Sequence, residues 1–162
     1  ADYYVIVMGD EPMITSDDQI KLINAINVGD GADAIMLTEI LKNPVDAINA
    51  TTIKLAINNH GDLIFMSRAA IPYPKEMLGY SLYKNVGCYA LRKEALAFYS
   101  TTSPGLIEKA EGIELLRLLE NHKLVKTVEI ESESMAVDTP KDLERIRAEF
   151  KDKKIWKNDK EC

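Results

Sequence analysis

The sequence has few cysteines, no hydrophobic run long enough to cross a membrane, and no glycine-rich loop to hold a phosphate. Cys88 and Cys162 are too few for a disulfide framework, and the apolar neighbours of Cys88 predict a buried thiol. The longest apolar runs have the length of strands, which excludes a transmembrane helix. The first residues show no signal-peptide pattern, so we expect a cytoplasmic protein that does not bind a membrane.

The sequence also has no excess of basic over acidic residues. The 20 lysines and arginines are outnumbered by 26 aspartates and glutamates, which gives a net charge of −6, and both signs are mixed along the chain. A nucleic-acid-binding surface would be basic and clustered, so we exclude that class of partner. The 162 residues, of which 46% are hydrophobic, suffice for one domain with a substantial core.

The N-terminal part predicts a strand, a helix and a second strand. The apolar run 3–8 is typical of a strand that is buried on both faces, as in a parallel sheet. Ser16 and Gln19 form a capping-box pattern, which predicts a helix that ends near Gly29. The apolar segment 34–38 predicts the next strand. This order indicates one crossover unit of an α/β fold.

The middle of the chain predicts a β-hairpin and a long loop. Segments 53–57 and 63–67 flank a turn-forming stretch, which is typical of a hairpin. Residues 68–80 predict a loop of a length that is often functional. Segment 83–91 predicts a strand, in which Gly87 marks a bulge or a close approach. Further along we predict a helix at 92–99, a helical stretch at 103–120, a strand at 124–130, a helix at 139–150 and a charged tail at 151–162.

Acidic residues stand at two points where a strand gives way to a loop or a helix start. Asp10 follows the first predicted strand, and Asp138 precedes the last predicted helix. Ligands bind beyond the carboxyl ends of strands in open α/β sheets, and two such carboxylates suit a Mg²⁺ ion that carries phosphates. A turn-forming Asp10 and a helix-capping Asp138 are the competing interpretations, and Glu11 is an alternative ligand. Only the fold decides whether the two acids meet.

Polar and aromatic side chains in the middle of the chain are candidate substrate contacts. Arg68 at the start of the long loop suits a carboxylate or phosphate, with a surface arginine as the alternative. Tyr73, next to Pro72, suits either a sugar pocket or loop packing. Asn85 and Tyr89 lie on one face of their strand at period two, which is otherwise simply a polar strand face.

Glu114 and the two histidines complete the set of candidates. Glu114 stands in a leucine-rich helical stretch, where a solvated helix position is the competing interpretation. His60 and His122 have no His or Cys neighbour to complete a metal site, so we assign neither of them a metal.

Motifs in a fixed order resemble the CMP-Kdo synthetase family, which includes the 3-deoxy-manno-octulosonate and acylneuraminate cytidylyltransferases. Each motif alone is weak, but their shared order over residues 1–150 is specific. The matching segments are 7–12 (Val-Met-Gly-Asp-Glu-Pro), 66–73 (Met-Ser-Arg-Ala-Ala-Ile-Pro-Tyr), 84–92, 107–109 with 113–117, and 137–144 (Val-Asp-Thr-Pro-Lys-Asp-Leu-Glu).

The resemblance implies a fold, a reaction and a set of site residues. It implies a doubly wound α/β sheet over residues 1–150, with a smaller β-hairpin part at about 51–92 that binds the acceptor and forms a homodimer. The implied reaction transfers CMP from CTP to an acidic 2-keto sugar such as Kdo and releases pyrophosphate, in lipopolysaccharide biosynthesis. Asp10 and Asp138 would hold Mg²⁺ and serve catalysis. The implied acceptor contacts are Arg68, Pro72, Tyr73, Asn85, Tyr89 and Glu114.

The chain departs from this family in two respects. Met8, Asn85 and Leu115 stand where the family usually has glutamine, histidine and glutamine, so another acidic acceptor, such as a different nonulosonic acid or a phosphonate, stays open. The family's phosphate-binding loop and base-recognition segment have no counterpart in the sequence, so we expect no turnover of CTP by this chain alone. A noncatalytic acceptor-binding or dimerisation module, and a nucleotidyltransferase for neutral sugar phosphates, are the alternative interpretations.

Overall fold

The computed structural model describes residues 1–28, 31–76 and 79–152. The predicted helix end at Gly29, and the tail with Trp156 and Cys162, lie outside the described residues. In chain order the elements are β1 (Tyr3–Val7), α1 (Ser16–Val28), β2 (Ala34–Ile40), α2 (Pro44–Ile48), β3 (Lys54–Ile57), β4 (Leu63–Ser67), β5 (Tyr83–Arg92), α3 (Lys93–Thr101), α4 (Leu106–Glu111), α5 (Leu116–Glu120), β6 (Val125–Glu129) and α6 (Pro140–Asp152).

The longest strand, β5, lies at the centre of a mixed sheet with the order β4-β3-β5-β2-β6. It pairs antiparallel with β2 along one edge and with β3 and β1 along the other. β2 pairs with β6 in parallel. Because β1 and β2 both run antiparallel to β5, they run parallel to each other, and α1 is the crossover between them. The predicted strand–helix–strand unit is therefore present, with β5 inserted between its two strands.

The sheet is covered on both faces, as an α/β fold requires. Helix α1 packs through Leu22 on the face that carries Ile35 and Leu37 of β2 and Val86 and Cys88 of β5. The opposite face is covered by the segment that contains α3, α4 and α5. The buried residues of that second cluster are Ala34, Met36, Leu55, Leu63, Met66, Leu91, Ala95, Ile113, Leu115, Leu116, Leu118 and Val125.

Strand β1 is not buried on both faces, so this part of the prediction is wrong. Tyr4, Val5 and Val7 expose 41%, 42% and 44% of their surface. Within the described residues β1 pairs only with β5, because β5 and not a parallel neighbour lies beside it. An apolar run therefore predicted the strand correctly but not its position at the edge of the sheet.

The predicted hairpin and long loop are confirmed. β3 and β4 pair antiparallel around a turn in which Gly61 adopts a positive φ of 79°. The carbonyl of Gly61 accepts hydrogen bonds from the amide (2.8 Å) and hydroxyl (2.9 Å) of Thr127 in β6, which curls the hairpin back onto the sheet. Residues 68–76 and 79–82 contain no helix and no strand.

The capping box of α1 lies one residue earlier than predicted. Thr15, rather than Ser16, caps the helix: its hydroxyl accepts from the amide of Asp18, and its own amide donates to the Asp18 carboxylate at 2.9 Å. The short side chain of Asp18 completes the box, so Gln19 is not needed for it. The helix itself is confirmed.

The predicted helical stretch 103–120 is two short helices. Gly112 adopts the left-handed conformation (φ 62°, ψ 42°) and ends α4 at Glu111, and α5 begins only at Leu116. The predicted Glu114 helix position is therefore wrong, since Glu114 lies in the turn between these helices. Buried ion-pair contacts from Arg117 to Glu108 hold α5 against α4.

Candidate functional site

The loops that carry Asp10 and Asp138 are joined by a backbone hydrogen bond. The amide of Val137 donates to the carbonyl of Asp10 at 2.8 Å. Asp138 is the next residue in the chain, so the fold brings the two acidic motifs together at one rim of the sheet. The number of residues between Asp10 and Asp138 gave no information on how far apart the two motifs lie in space. Only the folding of the chain after β6 brings them into contact.

Asp138 does not cap helix α6. The cap is Thr139, whose hydroxyl accepts from the amide of Asp142 at 3.2 Å, while the Asp142 carboxylate accepts from the amide (2.9 Å) and hydroxyl (2.7 Å) of Thr139. These hydrogen bonds lower the pKa of Asp142. The Asp138 side chain is exposed, and its carboxylate accepts no hydrogen bond within the described part of the chain. The competing interpretation of Asp138 as a cap is therefore wrong.

Two serines fix the loop that precedes Asp138. The hydroxyl of Ser132 donates to Asp18 at 2.7 Å. The amide and hydroxyl of Ser134 donate to the buried carboxylate of Glu39 at 3.0 and 3.1 Å. Lys84 adds an ion pair with Glu39 at 3.2 Å and donates to the Ser134 carbonyl at 2.7 Å. Buried carboxylates thus hold this loop to the sheet, and none of these roles follows from a motif in the sequence.

Asn85 and Tyr89 lie on the same face of β5, as predicted. Tyr89 is paired with Met36, and Asn85 with Thr38. Met36 and Thr38 are two residues apart in β2 and so face the same side, and paired residues of neighbouring strands share a face. A bulge between the two pairs leaves this arrangement intact. Burial and the nearby Glu114 carboxylate raise the pKa of Tyr89.

Glu11 lies against the same face of β5, where the sequence marked only a close approach at Gly87. The Glu11 carboxylate accepts from the amide of Gly87 at 2.9 Å. A Cβ atom at position 87 would lie 2.8 Å from the Cγ of Glu11 and 3.0 Å from Met8, so only glycine leaves room for them. Burial raises the pKa of Glu11, although the Gly87 bond and Lys84 oppose the shift. In the sequence, the one sign of the contact between Glu11 and Gly87 was a glycine inside a predicted strand, together with an acidic residue directly after Asp10.

The guanidinium of Arg68 is engaged by the protein itself. It donates to the carbonyls of Glu111 (2.8 Å), Ala50 (3.0 Å) and Gly112 (3.4 Å). The Glu111 carboxylate in turn accepts from the Ser67 hydroxyl at 2.6 Å and the Arg68 amide at 2.9 Å. Hydrogen bonds from Ser67 and Arg68 lower the pKa of Glu111. In this structure Arg68 anchors the start of the long loop, and its contact with an acceptor stays a prediction.

Lys54 is a buried cation that the sequence did not single out. Its ammonium group donates to the carbonyls of Asn49 (2.7 Å), Thr52 (2.6 Å) and Arg68. Burial lowers the pKa of Lys54. Three carbonyls replace the water that the ammonium group loses, so the hairpin and the loop before it are held to the start of the long loop.

The remaining predicted residues lie at the surface. Pro72 and Tyr73 are exposed, and Tyr73 exposes 83% of its surface. Glu114 lines a shallow groove of about 240 Å³ together with Pro104, Glu108, Lys109, Gly112 and Ile113. A second groove of about 340 Å³ between residues 40–47 and Tyr80–Leu82 contains none of the predicted site residues.

Within residues 1–28, 31–76 and 79–152, no group of three or more His, Cys, Asp or Glu side chains is arranged to hold a metal ion. The same part of the chain contains no helix that is both long and apolar enough to span a bilayer. Cys88 is buried, as its apolar neighbours predicted, and burial raises the pKa of its thiol to about 11.

Comparison with known protein families shows to which family the chain belongs. Residues 1–130 match the family model described as cytidylyltransferase. The chain belongs to the cytidylyltransferase family. The resemblance to this family that the sequence indicated is thereby confirmed.

Full-length relatives of this cytidylyltransferase chain are longer than the chain itself. It is 33% identical to the 3-deoxy-manno-octulosonate cytidylyltransferase of Escherichia coli over 148 residues, which cover 91% of the chain and 60% of the relative. The enzyme of the same name from Christiangramia forsetii is 36% identical over 150 residues, with 90% and 60% coverage. The chain spans about 60% of the length of these relatives.

Solved structures confirm the α/β fold of the cytidylyltransferase chain. The structure of CMP:2-keto-3-deoxy-manno-octonic acid synthetase in complex with CTP is 32% identical and superposes with a TM-score of 0.86, covering 94% of this chain and 63% of that one. A glucose-1-phosphate thymidylyltransferase from Bacillus anthracis superposes with a TM-score of 0.60 at 14% identity, over 93% and 55% of the two chains. This second likeness concerns the fold alone.

Proposed function

We propose that this chain is part of an enzyme that transfers CMP from CTP to an acidic 2-keto sugar such as Kdo. In this reaction the anomeric hydroxyl oxygen bonds to the α-phosphorus of CTP, the bond from that phosphorus to pyrophosphate breaks, and the hydroxyl proton passes to solvent. Asp10 and Asp138 are the catalytic metal-binding pair in this proposal. The observation that carries it is the hydrogen bond from Val137 to Asp10, because it puts the two acidic motifs at one rim.

The two acids fit a hard divalent cation. Carboxylate oxygens are the ligands that Mg²⁺ prefers, and it usually takes only one or two of them, with phosphates and water in its other positions. Thr139 and Asp142 satisfy the start of α6, which leaves the Asp138 carboxylate available. When bound, Mg²⁺ would offset the phosphate charge and orient the α-phosphate.

The chain's own residues would hold the two acids in place and bind the acceptor. Ser132 and Ser134 fix the loop before Asp138, and the Gly87 amide fixes Glu11 beside Asp10. The face of β5 with Asn85 and Tyr89 is the proposed acceptor surface. Arg68, Pro72, Tyr73 and Glu114 are the other proposed contacts. Besides this proposed contact, Arg68 anchors the loop that carries Pro72 and Tyr73, since its guanidinium donates to three carbonyls.

The chain spans 60% of the E. coli relative, so the proposed reaction is tested in a chimera in which that relative supplies the remaining part. In this chimera the chain replaces the matching 148 residues of that relative. We expect release of pyrophosphate from CTP that requires both Mg²⁺ and Kdo, and loss of this release in the Asp138→Asn chimera. Asp17→Asn, which removes the same charge from an exposed position of α1, is the matched control.

Other acids separate the remaining alternatives in the same assay. Release with N-acetylneuraminate or a phosphonate but not with Kdo would change the acceptor and keep the reaction. A folded chimera that binds Kdo in calorimetry but neither binds nor cleaves CTP would contradict the proposal and support a noncatalytic acceptor-binding module. The chain alone is expected to release no pyrophosphate.

Assembly, location and pathway are part of the proposal and rest on the family. We propose a homodimer in the cytoplasm that serves lipopolysaccharide biosynthesis. Strand β4 is at one end of the sheet order, and Ile64 on it exposes 61% of its surface, which suits a contact with a second copy. Light scattering of the Ile64→Glu variant is expected to give a smaller mass than that of the unsubstituted chain; equal masses would rule out this surface.

A further inference from the structure

Strand β1 has the composition of an internal strand but lies at an edge of the sheet. Its five residues, Tyr3–Val7, include no charged side chain, no proline and no glycine. A continuous apolar run of this kind is typical of a strand that has neighbours on both sides and cover on both faces. Within residues 1–28, 31–76 and 79–152, however, β1 pairs with β5 alone. The sequence of β1 therefore fits a sheet that has a further strand beside it.

The outer edge of β1 carries a row of unpaired backbone groups. At the end of the strand, the amide of Met8 donates to the carbonyl of Gly87 at 2.8 Å. At its start, the amide of Lys93 donates to the carbonyl of Asp2 at 2.9 Å. In an antiparallel pair, residues that are hydrogen-bonded to the partner alternate with residues whose backbone groups point away from it. The outward residues, whose amides and carbonyls point away from β5, are therefore Tyr3, Val5 and Val7.

Both faces of β1 are also only partly covered. Val5 pairs with Ala90, on the face where α1 packs, and is nevertheless half exposed. Val7 projects to the same face and is exposed to a similar extent. Tyr4 projects to the opposite face and is half exposed as well. A segment that completes this part of the sheet has to supply a strand for the edge and cover for the two faces.

The edge strand β6 is protected in ways that natural sheets use, whereas β1 is not. β6 carries the charged residues Lys126 and Glu129, and the hairpin turn covers it through the hydrogen bond from the Thr127 amide to the Gly61 carbonyl. Charges and a covering turn both block the addition of a further strand. In the part of the chain that the structure describes, β1 has neither, and its pairing with β5 runs without a bulge. An edge of this kind is suited to accept a strand from another segment.

The relatives indicate which segment fits this edge. The chain spans 60% of the E. coli cytidylyltransferase, so the other 40% of that relative has no counterpart in the chain. A large segment of an α/β enzyme supplies strands together with the helices that cover them, which is what the edge and the two faces of β1 need. A second copy of this chain would bring its own β1 to the edge but no helix over it, because its α1 packs on β2 and β5.

We propose that the outer edge of β1 is the docking surface for the part of the cytidylyltransferase that this chain does not match. That part adds a strand to β1, forms hydrogen bonds with the outward residues and covers the half-exposed side chains on both faces. Asp10 stands three residues after β1, so the docked part also borders the rim that carries the two acidic motifs. The inference rests on the proposal that the chain is part of a larger enzyme, but not on the acceptor or on the reaction.

Hydrogen exchange in ¹⁵N-labelled protein tests this inference, because it divides the amides of β1 and its end into two classes. In the 162-residue chain, the amides of Tyr4, Ile6 and Met8 point to β5 and should exchange slowly, whereas the three outward amides should exchange fast. In the chimera with the E. coli relative, the outward amides should slow by at least about 100-fold. The Thr127 amide, which bonds to Gly61 in the chain itself, is the control and should exchange equally in both proteins.

A charged side chain at the edge gives a second measurement. Val5→Glu should lower the melting temperature of the chimera by about 5–10 °C, because docking would bury its carboxylate without a partner. In the chain alone the same substitution should lower it by less than about 3 °C, because the carboxylate stays in water. Val45→Glu makes the same change at an exposed position of α2 and is the matched control, with less than about 3 °C expected in both proteins.

Folding of the chimera does not limit the test. If the chimera does not fold, the unmatched part of the E. coli relative is added to the labelled chain as a separate polypeptide. Slowing of the three outward amides is again the expected result, and unchanged exchange at a saturating concentration would overturn the inference.

The outcomes separate the inference from the proposed function. A chimera that releases pyrophosphate while its outward amides still exchange fast would overturn the inference and leave the proposed function intact. Slow outward amides in a chimera that releases no pyrophosphate would support the docking surface and count against the reaction. A second copy would be the occupant if the chain alone formed a dimer with slow outward amides that Val5→Glu made monomeric in light scattering, and this too would overturn the inference.

Discussion

The carboxylate of Asp18 accepts a hydrogen bond from the hydroxyl of Ser132 at 2.7 Å, although the two residues are 114 positions apart. Asp18 also completes the capping box of α1 with Thr15. One carboxylate therefore ties the start of the first helix to the loop that carries Asp138. Local helix capping and the geometry of the site depend on the same side chain.

This contact predicts how stability depends on acid. Burial opposes ionisation of Asp18, but hydrogen bonds from Ser132 and Thr15 outweigh it and lower its pKa. A lowered pKa means that the carboxylate stabilises the fold above its unfolded value of about 3.9, and that this contribution is lost as the pH falls through the folded value. We expect Asp18→Asn to reduce the free energy of unfolding at pH 7 by about 1–2 kcal/mol.

Urea unfolding of both proteins between pH 2 and pH 7 measures this effect. The difference in stability should shrink below about pH 4, because the unsubstituted protein then loses the ionised form. Other carboxylates titrate in both proteins and cancel in the difference. A difference that stays constant down to pH 2 would show that Asp18 acts only through its shape.

Metal binding at the rim predicts that the two acidic loops respond together. In ¹⁵N-labelled chain, Mn²⁺ should broaden the amide signals near Asp10 and near Asp138 at the same concentration. Either Asp10→Asn or Asp138→Asn should weaken the broadening at both loops by at least about 10-fold in Mn²⁺ concentration, because each removes half of the protein ligands. Asp17→Asn should change nothing. Persistent broadening at one loop after substitution of the other would mean two separate sites.

Helix α6 offers a test that separates capping from metal binding. Thr139→Ala removes the hydroxyl that caps Asp142 and should lower the free energy of unfolding by about 1 kcal/mol. Asp138→Asn should leave the free energy of unfolding unchanged within about 0.5 kcal/mol, since the described residues give its carboxylate no structural hydrogen bond. Guanidinium unfolding measures both values. A larger loss for Asp138→Asn than for Thr139→Ala would return Asp138 to a structural role.

Gly87 predicts a coupled pair of substitutions. Gly87→Ala places a methyl group 2.8 Å from the Cγ of Glu11 and should cost about 1–3 kcal/mol of stability. Gly9→Ala is the control, because a Cβ there meets no atom within 4 Å. In the Glu11→Ala background the cost of Gly87→Ala should fall by at least about 1 kcal/mol, since the clashing side chain is gone. Equal costs in both backgrounds would show that the crowding comes from Met8 alone.

Local patterns predicted most elements of this fold. The hairpin was predictable because turn-forming residues separate two apolar segments of strand length, and α6 because a capping residue precedes a proline. The break at Gly112 was missed, because a glycine inside a helical pattern does not by itself show that it takes the left-handed conformation. Whether Thr15 or Ser16 caps α1 was also undecided locally, since both are good caps and Asp18 completes only one of the two boxes.

The candidate site was predictable in its parts. Asp10 was predictable because it directly follows a predicted strand. Asn85 and Tyr89 were predictable because side chains at the two-residue period of a strand share a face. The roles of Glu11, Glu39 and Lys54 were not predictable, because each depends on a partner that is distant in sequence. Arg68 shows the same limit: an arginine at a loop start suits a ligand equally well as the backbone carbonyls that it actually contacts.

The sequence by itself determined where most strands and turns form, and which residues carry the family's motifs, because these depend on side chains a few positions apart. The tertiary structure alone decided that β5 separates β1 from β2, that β1 stays half exposed, and that the Val137 amide meets the Asp10 carbonyl. Such contacts arise from the packing of whole elements around a shared core, and no local pattern records which distant loops that packing brings into contact.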